Sequence, residues 1–320
     1  MVKPSDIKGL KLQRGAIVVA TGGHLEQALR RSAQLELQKQ ITFFTPRNSQ
    51  SESKLKDYKH YFVHNVGSRD IIGLVRAGLQ LFRSLRKRDF DYVLSTGAGV
   101  AIACAVVCKL RNIDFYYIES IARQNKPSMT GQILEKFKSV NLYSESKNFD
   151  SRRWNKIDSF FSDYGMREEL EVVSTSSSLK LFITVGTVHK FQFKRLVDLV
   201  ESALVASDSV VWQVGNLESE IQSGQVHKEM TDSEFSRNIQ YADVVISHAG
   251  VGSILNTLDA GKYPILIPRL SKHSEHIDDH QFEIASLVAS FNLAQVITDK
   301  LTREDLLAAK RRHIKVLNKD

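Results

Sequence analysis

One pattern constrains the fold of this chain more than any other: a glycine-rich turn recurs between an apolar run and an amphipathic stretch. In its first occurrence, the run Gly15 to Ala20 predicts a buried strand, and the turn Thr21-Gly22-Gly23-His24 leads into a helical periodicity that continues to about Leu37. The same order returns at Thr96-Gly97-Ala98-Gly99 and at His248-Ala249-Gly250-Val251-Gly252-Ser253. Strands that alternate with helices in this way predict an α/β fold with parallel sheets.

The alternation divides the chain into two parts. It weakens through the polar residues 144–178 and restarts with a predicted strand, Leu179 to Val185, and the turn Gly186-Thr187. We therefore predict two Rossmann-like domains, residues 1–165 and residues 179–302. A basic helix over residues 303–320 is predicted to follow, and it could pack back on the first domain.

Positive charge is concentrated in the first half of the chain. The net charge is +8, but residues 1–160 contain 27 Lys and Arg against 14 Asp and Glu, whereas residues 161–320 contain 17 against 22. The first half is therefore expected to contact nucleic acid, acidic lipid headgroups or a polyphosphate substrate. The sequence shows no recognised nucleic-acid-binding motif and no stacking set of aromatic residues on a strand pair, so we expect no nucleic acid partner.

Two segments of the sequence indicate where in the cell the protein is expected. Met1 to Arg14 is polar and lacks the apolar core of a secretory signal, and Ala98 to Leu110 is too short for the roughly 20 apolar residues of a membrane span. The cysteines of that second segment, Cys104 and Cys108, are expected to be reduced residues on one helix face. The sequence therefore predicts a cytoplasmic protein.

The glycine turns suit a diphosphate. Glycine lets the backbone approach a phosphate closely, and the free amides and positive dipole end of the following helix stabilise its charge. The chain contains no Gly-x-x-x-x-Gly-Lys-Ser/Thr motif, and no Gly-x-Gly-x-x-Gly motif opens it, which disfavours ATP and NAD as ligands. A tight connection between strand and helix also needs glycine for packing alone, so the three turns together, rather than any one of them, indicate a ligand.

The second half resembles the donor-binding domain of GT-B glycosyltransferases. The resemblance lies in the motif Ser247 to Ser253, in Gly261-Lys262 with Pro264 to Pro268, and in Asp279-His280-Gln281. The opening Thr184-Val185-Gly186-Thr187 is similar to that of the catalytic subunit of the eukaryotic dolichol-linked N-acetylglucosaminyltransferase pair. The block that starts at Ser274 and ends at Gln281 resembles the bacterial exopolysaccharide and capsule transferases.

The first half resembles the acceptor and membrane subunit of the same pair. The matching residues are Gly22-Gly23-His24, Thr96 to Gly99, Tyr117 to Arg123, and Thr130-Gly131. The bacterial enzymes exist as two polypeptides or as one fused chain, and this sequence looks like the fused form. It departs from the wider pattern at Asn256, where many relatives carry a glutamate that contacts the donor.

This resemblance implies the GT-B architecture, in which two Rossmann-like domains with parallel sheets face a central cleft. It implies an inverting transferase that moves galactose, glucuronic acid or N-acetylglucosamine from a UDP-sugar to a polyprenyl-diphosphate-linked sugar, through a β-1,4 linkage, in exopolysaccharide or capsule biosynthesis. No metal or other cofactor is expected. The expected place is peripheral, on the inner face of the cell membrane, with an acidic membrane surface and polysaccharide assembly proteins as further partners.

The resemblance also assigns roles to individual residues. Residues expected to bind the donor are Gly186, Thr187, His248, Gly250, Gly252, Ser253, Asp279 and Gln281. Residues expected to bind the acceptor are Gly22, Gly23, Gly97, Gly99, Ser120 and Arg123. An inverting transferase needs a base that takes the proton of the acceptor hydroxyl, and the candidates are His24 and Glu119.

Several of these residues have a purely structural alternative. His24 could cap its helix, Glu119 could form an ion pair with Arg123, and His248 could pack without touching a ligand. Ser253 could be a simple helix cap, and Gln281 could be a solvated helix residue.

Two further sets of side chains near the donor motif leave alternatives open. His273, His276 and His280 have a spacing that would suit a metal site, but no cysteine or tight carboxylate set accompanies them, so no metal is predicted. Arg269 or Lys272 could bind the carboxylate of a glucuronic acid donor.

A basic helix predicted from Asp70 to Arg88 combines apolar residues with a cluster of arginines, a composition that suits an acidic membrane surface but also an ordinary core helix with a solvated end. Two other functions compete with transfer. A non-catalytic scaffold or regulatory subunit would not need both halves, and a UDP-sugar epimerase would not need a basic, lipid-facing first half.

Overall fold

The computed structural model describes residues 7, 10, 14–37, 41–67, 70–150, 152–168, 178–186, 191–218 and 220–317. The chain forms two compact units, Met1–Ile157 and Asp158–Asp320. Within the described ranges, every helix is too short or too polar to cross a membrane.

The described part of the first unit is built on seven strands. Their bounds are β1 Gly15–Val18, β2 Ile41–Thr45, β3 Lys59–Phe62, β4 Tyr92–Ser95, β5 Asp114–Ile118, β6 Val140–Ser144 and β7 Trp154–Lys156. All pair in parallel, in the order β3-β2-β1-β4-β5-β6-β7. Gly15 lies opposite Ile41 on one side and Tyr92 on the other, so the strand order reverses between β1 and β4.

Helices cover both faces of this sheet. They are α1 Gly23–Gln34, α2 Ser49–Lys54, α3 Ile71–Ser84, α4 Val100–Arg111 and α5 Met129–Leu134. Because side chains alternate along a strand, Ala16 and Val18 pack into one core cluster, together with residues of α3 and α4. Ile17 and Val19 pack into the other cluster, with residues of α1. The apolar runs in the sequence therefore mark strands that are buried on both faces.

The second unit repeats this plan. Its strands are β8 Tyr164–Glu168, β9 Lys180–Thr184, β10 Ser209–Gln213, β11 Gln225–His227, β12 Val244–Ser247, β13 Ile265–Leu266, β14 Gln295–Val296 and β15 Arg312–Val316. Its helices are α6 Lys194–Glu201, α7 Asp232–Tyr241, α8 Val251–Asp259, α9 His280–Ser290 and α10 Arg303–Lys310. Six strands form a parallel sheet in the order β11-β10-β9-β12-β13-β14, which reverses between β9 and β12.

The C-terminal segment differs from the sequence-based prediction. The helix predicted over residues 303–320 ends at Lys310, and β15 pairs antiparallel with β8, with Ile314 opposite Met166. Apolar and polar residues alternate from Ile314 to Val316, which is the period of a strand, and pairing with β8 satisfies its backbone groups. This pairing places β8 in the second unit, which begins at Asp158 rather than at the predicted residue 179.

Candidate functional site

The predicted glycine turns lie where the strand order reverses in each sheet. In the first unit, Gly22 follows β1 and Gly97 follows β4. In the second unit, Gly186 follows β9 and His248 follows β12. Open α/β sheets bind ligands in the crevice outside the carboxyl ends of the strands at such reversal points. Each unit therefore has one candidate site at its own sheet edge.

His248 fills the space between two of the predicted donor-binding glycines. A Cβ atom added to Gly186 would lie 2.5 Å from its Nε2 atom, and one added to Gly250 would lie 2.3 Å from the same atom. The backbone N–H of His248 donates to the carbonyl of Thr184, at 3.0 Å, which fixes the residue at the end of the sheet. The two glycines thus allow a buried imidazole to hold the two turns together.

The imidazole of His248 is neutral at pH 7. Burial, and next the positive charge of Arg269, lower its pKa to about 4. A neutral imidazole can donate one hydrogen bond and accept another, and it adds no charge to the site.

The N-terminus of α8 is the part of this edge that is open to a ligand. Among the residues that the structure describes, Gly250 precedes the helix without a side-chain cap, and a Cβ atom on Gly252 would meet nothing within 4 Å. Ser253 lies in the first turn and is half-buried. The first-turn N–H groups of a helix have no partner within the helix, so they can bind an anion. Thr187, also predicted to bind the donor, lies outside the described residues.

Asp279 and Gln281 hold the loop that precedes α9. The two carboxylate oxygens of Asp279 accept hydrogen bonds from the N–H and the hydroxyl of Ser271, at 2.7 and 2.8 Å. The side-chain oxygen of Gln281 accepts from the N–H of Arg269, at 3.0 Å, and the residue is buried rather than solvated. Within the described residues, the Nε2 group of Gln281 has no protein partner, so it is the group of this pair that can reach a sugar nucleotide.

Arg269 forms hydrogen bonds to backbone carbonyl groups. Its side chain is buried, and its guanidinium donates to the carbonyls of Val185, Phe191, Gln192 and Glu275. Burial also lowers its pKa to about 10. The expectation that Arg269 could bind a glucuronic acid carboxylate therefore does not fit its position, whereas Lys272 is exposed.

Among the described residues, His276, Asp278 and His280 form a group that could hold a metal ion, because their ligand atoms lie within 4.8 Å of one another. The Nδ1 atoms of both histidines hydrogen-bond to the same oxygen of Asp278, that of His276 at 3.1 Å. His273 is not part of the group. The carboxylate of Asp278 thus has two imidazole partners.

In the first unit, His24 packs on the second glycine turn. Its Nδ1 atom lies 2.8 Å from the carbonyl oxygen of Thr96, and the hydroxyl of Thr96 donates to the carbonyl of His24, at 2.7 Å. Because a carbonyl only accepts, Nδ1 carries the proton and Nε2 is the basic nitrogen of the neutral ring. Gly97, with φ 129°, makes room for the ring, since a Cβ atom there would lie 2.6 Å from Cε1 of His24.

Glu119, the other predicted base, is buried, and its carboxylate accepts hydrogen bonds from the loop that follows β5. One oxygen accepts from the N–H of Ser120, at 2.8 Å, and from the hydroxyl of Tyr117. The other accepts from the N–H and the hydroxyl of Ser128, at 2.9 and 3.0 Å. Burial raises the pKa of Glu119, and the hydrogen bonds oppose that shift. With both oxygens bonded and the side chain only 1% exposed, it is placed to shape the loop rather than to contact an acceptor.

The remaining predicted acceptor residues lie on the two glycine turns and on this loop. Gly22, with φ 75°, donates its N–H to the side chain of Gln50, at 2.7 Å, and Gly23 begins α1. Gly99 lies against Val66. Ser120 and Arg123 are joined by a backbone hydrogen bond across the loop, at 2.9 Å.

Sequence reasoning missed Gln27, which connects the helix of His24 to this loop. Its amide nitrogen donates to the carbonyl of Glu119, at 3.0 Å, and its oxygen accepts from the N–H of Ile121, at 3.4 Å. The side chain is buried. The only available signal was a polar residue between Leu25 and Ala28, both of which face the core.

The residues predicted to bind the donor lie in a segment that matches a known family. Residues 180–313 match the glycosyltransferase family 28 C-terminal domain. The UDP-N-acetylglucosamine transferase subunit ALG13 of Yarrowia lipolytica is 33% identical over 126 residues, which is 34% of this chain and 60% of that protein. The chain thus spans less than two thirds of the length of this relative.

Comparison with solved structures covers both units. Acinetobacter baumannii MurG aligns with 93% of this chain and 91% of its own, with a TM-score of 0.57 and 18% identity. The calicheamicin glycosyltransferase CalG4 aligns with 93% of this chain and 89% of its own, with a TM-score of 0.54 and 14% identity. These similarities show the fold, and the predicted α/β GT-B class is confirmed.

Proposed function

We propose that this chain is a glycosyltransferase that takes a sugar from UDP and transfers it to a sugar carried on polyprenyl diphosphate. One observation carries the proposal: the domain that matches glycosyltransferase family 28 presents an uncapped helix N-terminus with open space at Gly252, beside the neutral His248. A diphosphate fits an uncapped helix N-terminus because backbone N–H groups and the helix dipole both stabilise its charge.

The proposed chemistry is an inverting displacement. Nε2 of His24 takes the proton of the acceptor hydroxyl, and the oxygen forms a bond to the anomeric carbon of the donor. The bond between that carbon and the β-phosphate oxygen breaks, and UDP leaves with the electron pair. The first turn of α8 stabilises the negative charge on UDP, so the proposal requires no metal. Glu119 and Gln27 act as positioning residues for the acceptor loop.

A surface on α3 supports a membrane-bound acceptor. Five apolar side chains along this helix are exposed: Ile71, Ile72, Val75, Leu79 and Phe82. Arg76, Arg83 and Arg86 are exposed on the same helix or just after it. An apolar stripe with flanking arginines suits the interface of an acidic membrane. We therefore propose that the chain works at the inner face of the cell membrane, in exopolysaccharide or capsule synthesis.

The test is transfer from a panel of UDP-sugars, with galactose, glucuronic acid and N-acetylglucosamine as the first donors, to a synthetic polyprenyl-diphosphate monosaccharide. Membranes or detergent and EDTA are present throughout. We expect one donor to be used and EDTA to have no effect. If the chain binds UDP but transfers nothing from the whole panel, it is instead a binding or scaffold subunit. Activity that EDTA abolishes would refute the metal-independent mechanism.

A further inference from the structure

The loop that leads into α9 brings two imidazoles and one carboxylate together. His276 and Asp278 lie in this loop, and His280 is the first residue of α9. Each offers one ligand atom, and the three atoms lie within 4.8 Å of one another. The sequence-based prediction of no metal rested on the lack of a tight carboxylate set beside the histidines. In the structure, Asp278 supplies a carboxylate that contacts two of them.

The spacing of these groups is close to that of metal ligands. Zinc binds imidazole nitrogen at about 2.0–2.1 Å and carboxylate oxygen at about 2.0–2.2 Å, so two ligand atoms of a tetrahedral site lie about 3.4 Å apart. Nδ1 of His276 lies 3.1 Å from an oxygen of Asp278, and Nδ1 of His280 contacts the same oxygen. The two imidazole rings meet edge to face, with centroids 4.5 Å apart. Small side-chain movements would therefore place all three ligand atoms around one ion.

Both imidazoles can exchange the hydrogen bond to Asp278 for a metal bond without a change in charge. A neutral ring that donates to the carboxylate carries its proton on Nδ1. When Nδ1 binds a metal instead, the proton of the neutral ring lies on Nε2. The side chains of His276 and His280 are 13% and 24% exposed, so water can reach the ion and occupy a fourth position.

The loop is held by other contacts on both sides of the three ligands. On one side, the carboxylate of Glu275 pairs with Arg195, at 2.8 Å. On the other side, the carboxylate of Asp279 accepts from the N–H of Ser271, at 2.7 Å. The ligands are thus positioned before a metal binds, which lowers the entropy that binding costs.

The ligand set favours zinc over the hard cations. Imidazole suits zinc and other transition metals, whereas magnesium and calcium prefer oxygen ligands throughout. Two imidazole nitrogens, one carboxylate oxygen and a water form a four-coordinate set that zinc accepts.

We propose that His276, Asp278 and His280 bind one zinc ion, with water as the fourth ligand, and that the ion fixes the loop in front of α9. This segment also contains Asp279 and leads to Gln281, both of which are predicted to bind the donor. The inference goes beyond the proposed function, whose chemistry requires no metal. The role of the ion is structural, because a metal that binds only the folded loop adds its binding free energy to the stability of the fold.

The experiment measures metal binding by the full chain, which carries no polyhistidine tag and is first freed of metal by chelation. Calorimetric titration with zinc chloride should show one ion per chain. Zinc at about a hundred times its Kd should raise Tm by at least about 3 °C, because a ligand that binds only the folded chain stabilises it. Magnesium chloride at the same concentration should leave Tm unchanged.

Variants then locate the ion. His276→Gln and His280→Gln each remove one ligand and should weaken zinc binding by at least about tenfold, since even the outer partners of a metal ligand change affinity by that much. The matched control is His273→Gln, which removes an exposed histidine of the same loop that is not part of the group and should bind zinc as the unmodified chain does. Asp278→Asn keeps the size of the side chain and removes the carboxylate, so it should also lose the zinc-dependent rise in Tm. It serves as the test if a histidine variant does not fold.

Unchanged zinc binding in the ligand variants would overturn the proposal, because the ion would then bind elsewhere. A chain that binds no zinc, or a control that loses as much affinity as the ligand variants, would overturn it as well. Metal binding and unfolding are read without turnover, so their failure is distinct from a failure of the proposed transferase activity.

Discussion

Gly250 and Gly252 belong to one motif, yet the structure gives them different reasons to be glycine. A methyl group on Gly250 would lie 2.3 Å from Nε2 and 3.0 Å from Cδ2 of His248, so Gly250→Ala must displace a buried imidazole. A methyl group on Gly252 would meet no atom of the described residues within 4 Å. If a diphosphate binds at this helix N-terminus, the methyl group of Gly252→Ala would occupy the space through which it approaches.

The two substitutions should therefore separate stability from binding. Overpacking in a core costs about 1–3 kcal/mol, so Gly250→Ala should lower Tm by several degrees. Gly252→Ala should leave Tm unchanged or raise it slightly, because alanine is favoured over glycine in a helix by about 0.5–1 kcal/mol. It should nevertheless weaken UDP binding by at least about tenfold, since a hydrogen bond from the backbone at about 3 Å leaves no room for a methyl group.

The assays are thermal unfolding without ligand and calorimetric titration with UDP. Gly78→Ala is the matched control: it lies in α3, and its methyl group would make an ordinary contact with Ala103, at 3.7 Å. The control should bind UDP as the unmodified chain does. If Gly252→Ala also binds UDP with unchanged affinity, the open space at α8 is not the diphosphate site, and the reasoning is wrong.

Three further predictions concern single side chains. His24→Ala should lower transfer by about 10²–10⁴-fold and leave UDP affinity unchanged in calorimetry; normal turnover would remove His24 as the base. Gln281→Glu keeps the acceptor for the N–H of Arg269 but loses the amide donor, so UDP-sugar affinity should fall about tenfold, and unchanged affinity would leave Gln281 a structural residue. The pKa of His248 is lowered from 6.5 to about 4, so between these pH values the unfolded chain binds a proton that the folded chain does not. The unfolding free energy should therefore fall by up to about 3 kcal/mol as pH falls through this range. Denaturant titrations at several pH values should show that the unfolding free energy of His248→Gln depends less steeply on pH. An equally steep dependence in the variant would contradict the lowered pKa of His248.

Local sequence signals were sufficient for the central strands of the two sheets and for the glycine turns that follow them. Strands such as Gly15–Val18 and Val244–Ser247 are fully buried. In an α/β chain, a short apolar run that precedes a glycine turn is typical of such a buried strand. The predicted placement of His24 and His248 at carboxyl edges follows from the same pattern. The C-terminal strand was missed because its partner β8 is distant in sequence, and pairing between strands overrides local propensity.

Long-range contacts of polar side chains could not be predicted. Glu119 was assigned as a candidate base with Arg123 as its alternative partner, but its actual donors include Ser128 and Tyr117. Gln27 contacts a loop 92 residues away, and no periodicity marks such a contact. Arg269 was considered for a ligand because it lies near the donor motif, although it is buried against backbone carbonyls. Burial and partner identity are properties of the assembled sheet edge, and the local pattern does not contain them.

The proposed function is tested most directly by proton NMR and mass spectrometry of the lipid-linked product, after incubation with the UDP-sugar that the panel selects. The proposal predicts a mass gain of one sugar, equimolar release of UDP, and an anomeric coupling that shows a new β linkage. An α linkage would contradict inversion by a single displacement. An unchanged lipid-linked monosaccharide, with free sugar or no product, would contradict transfer itself.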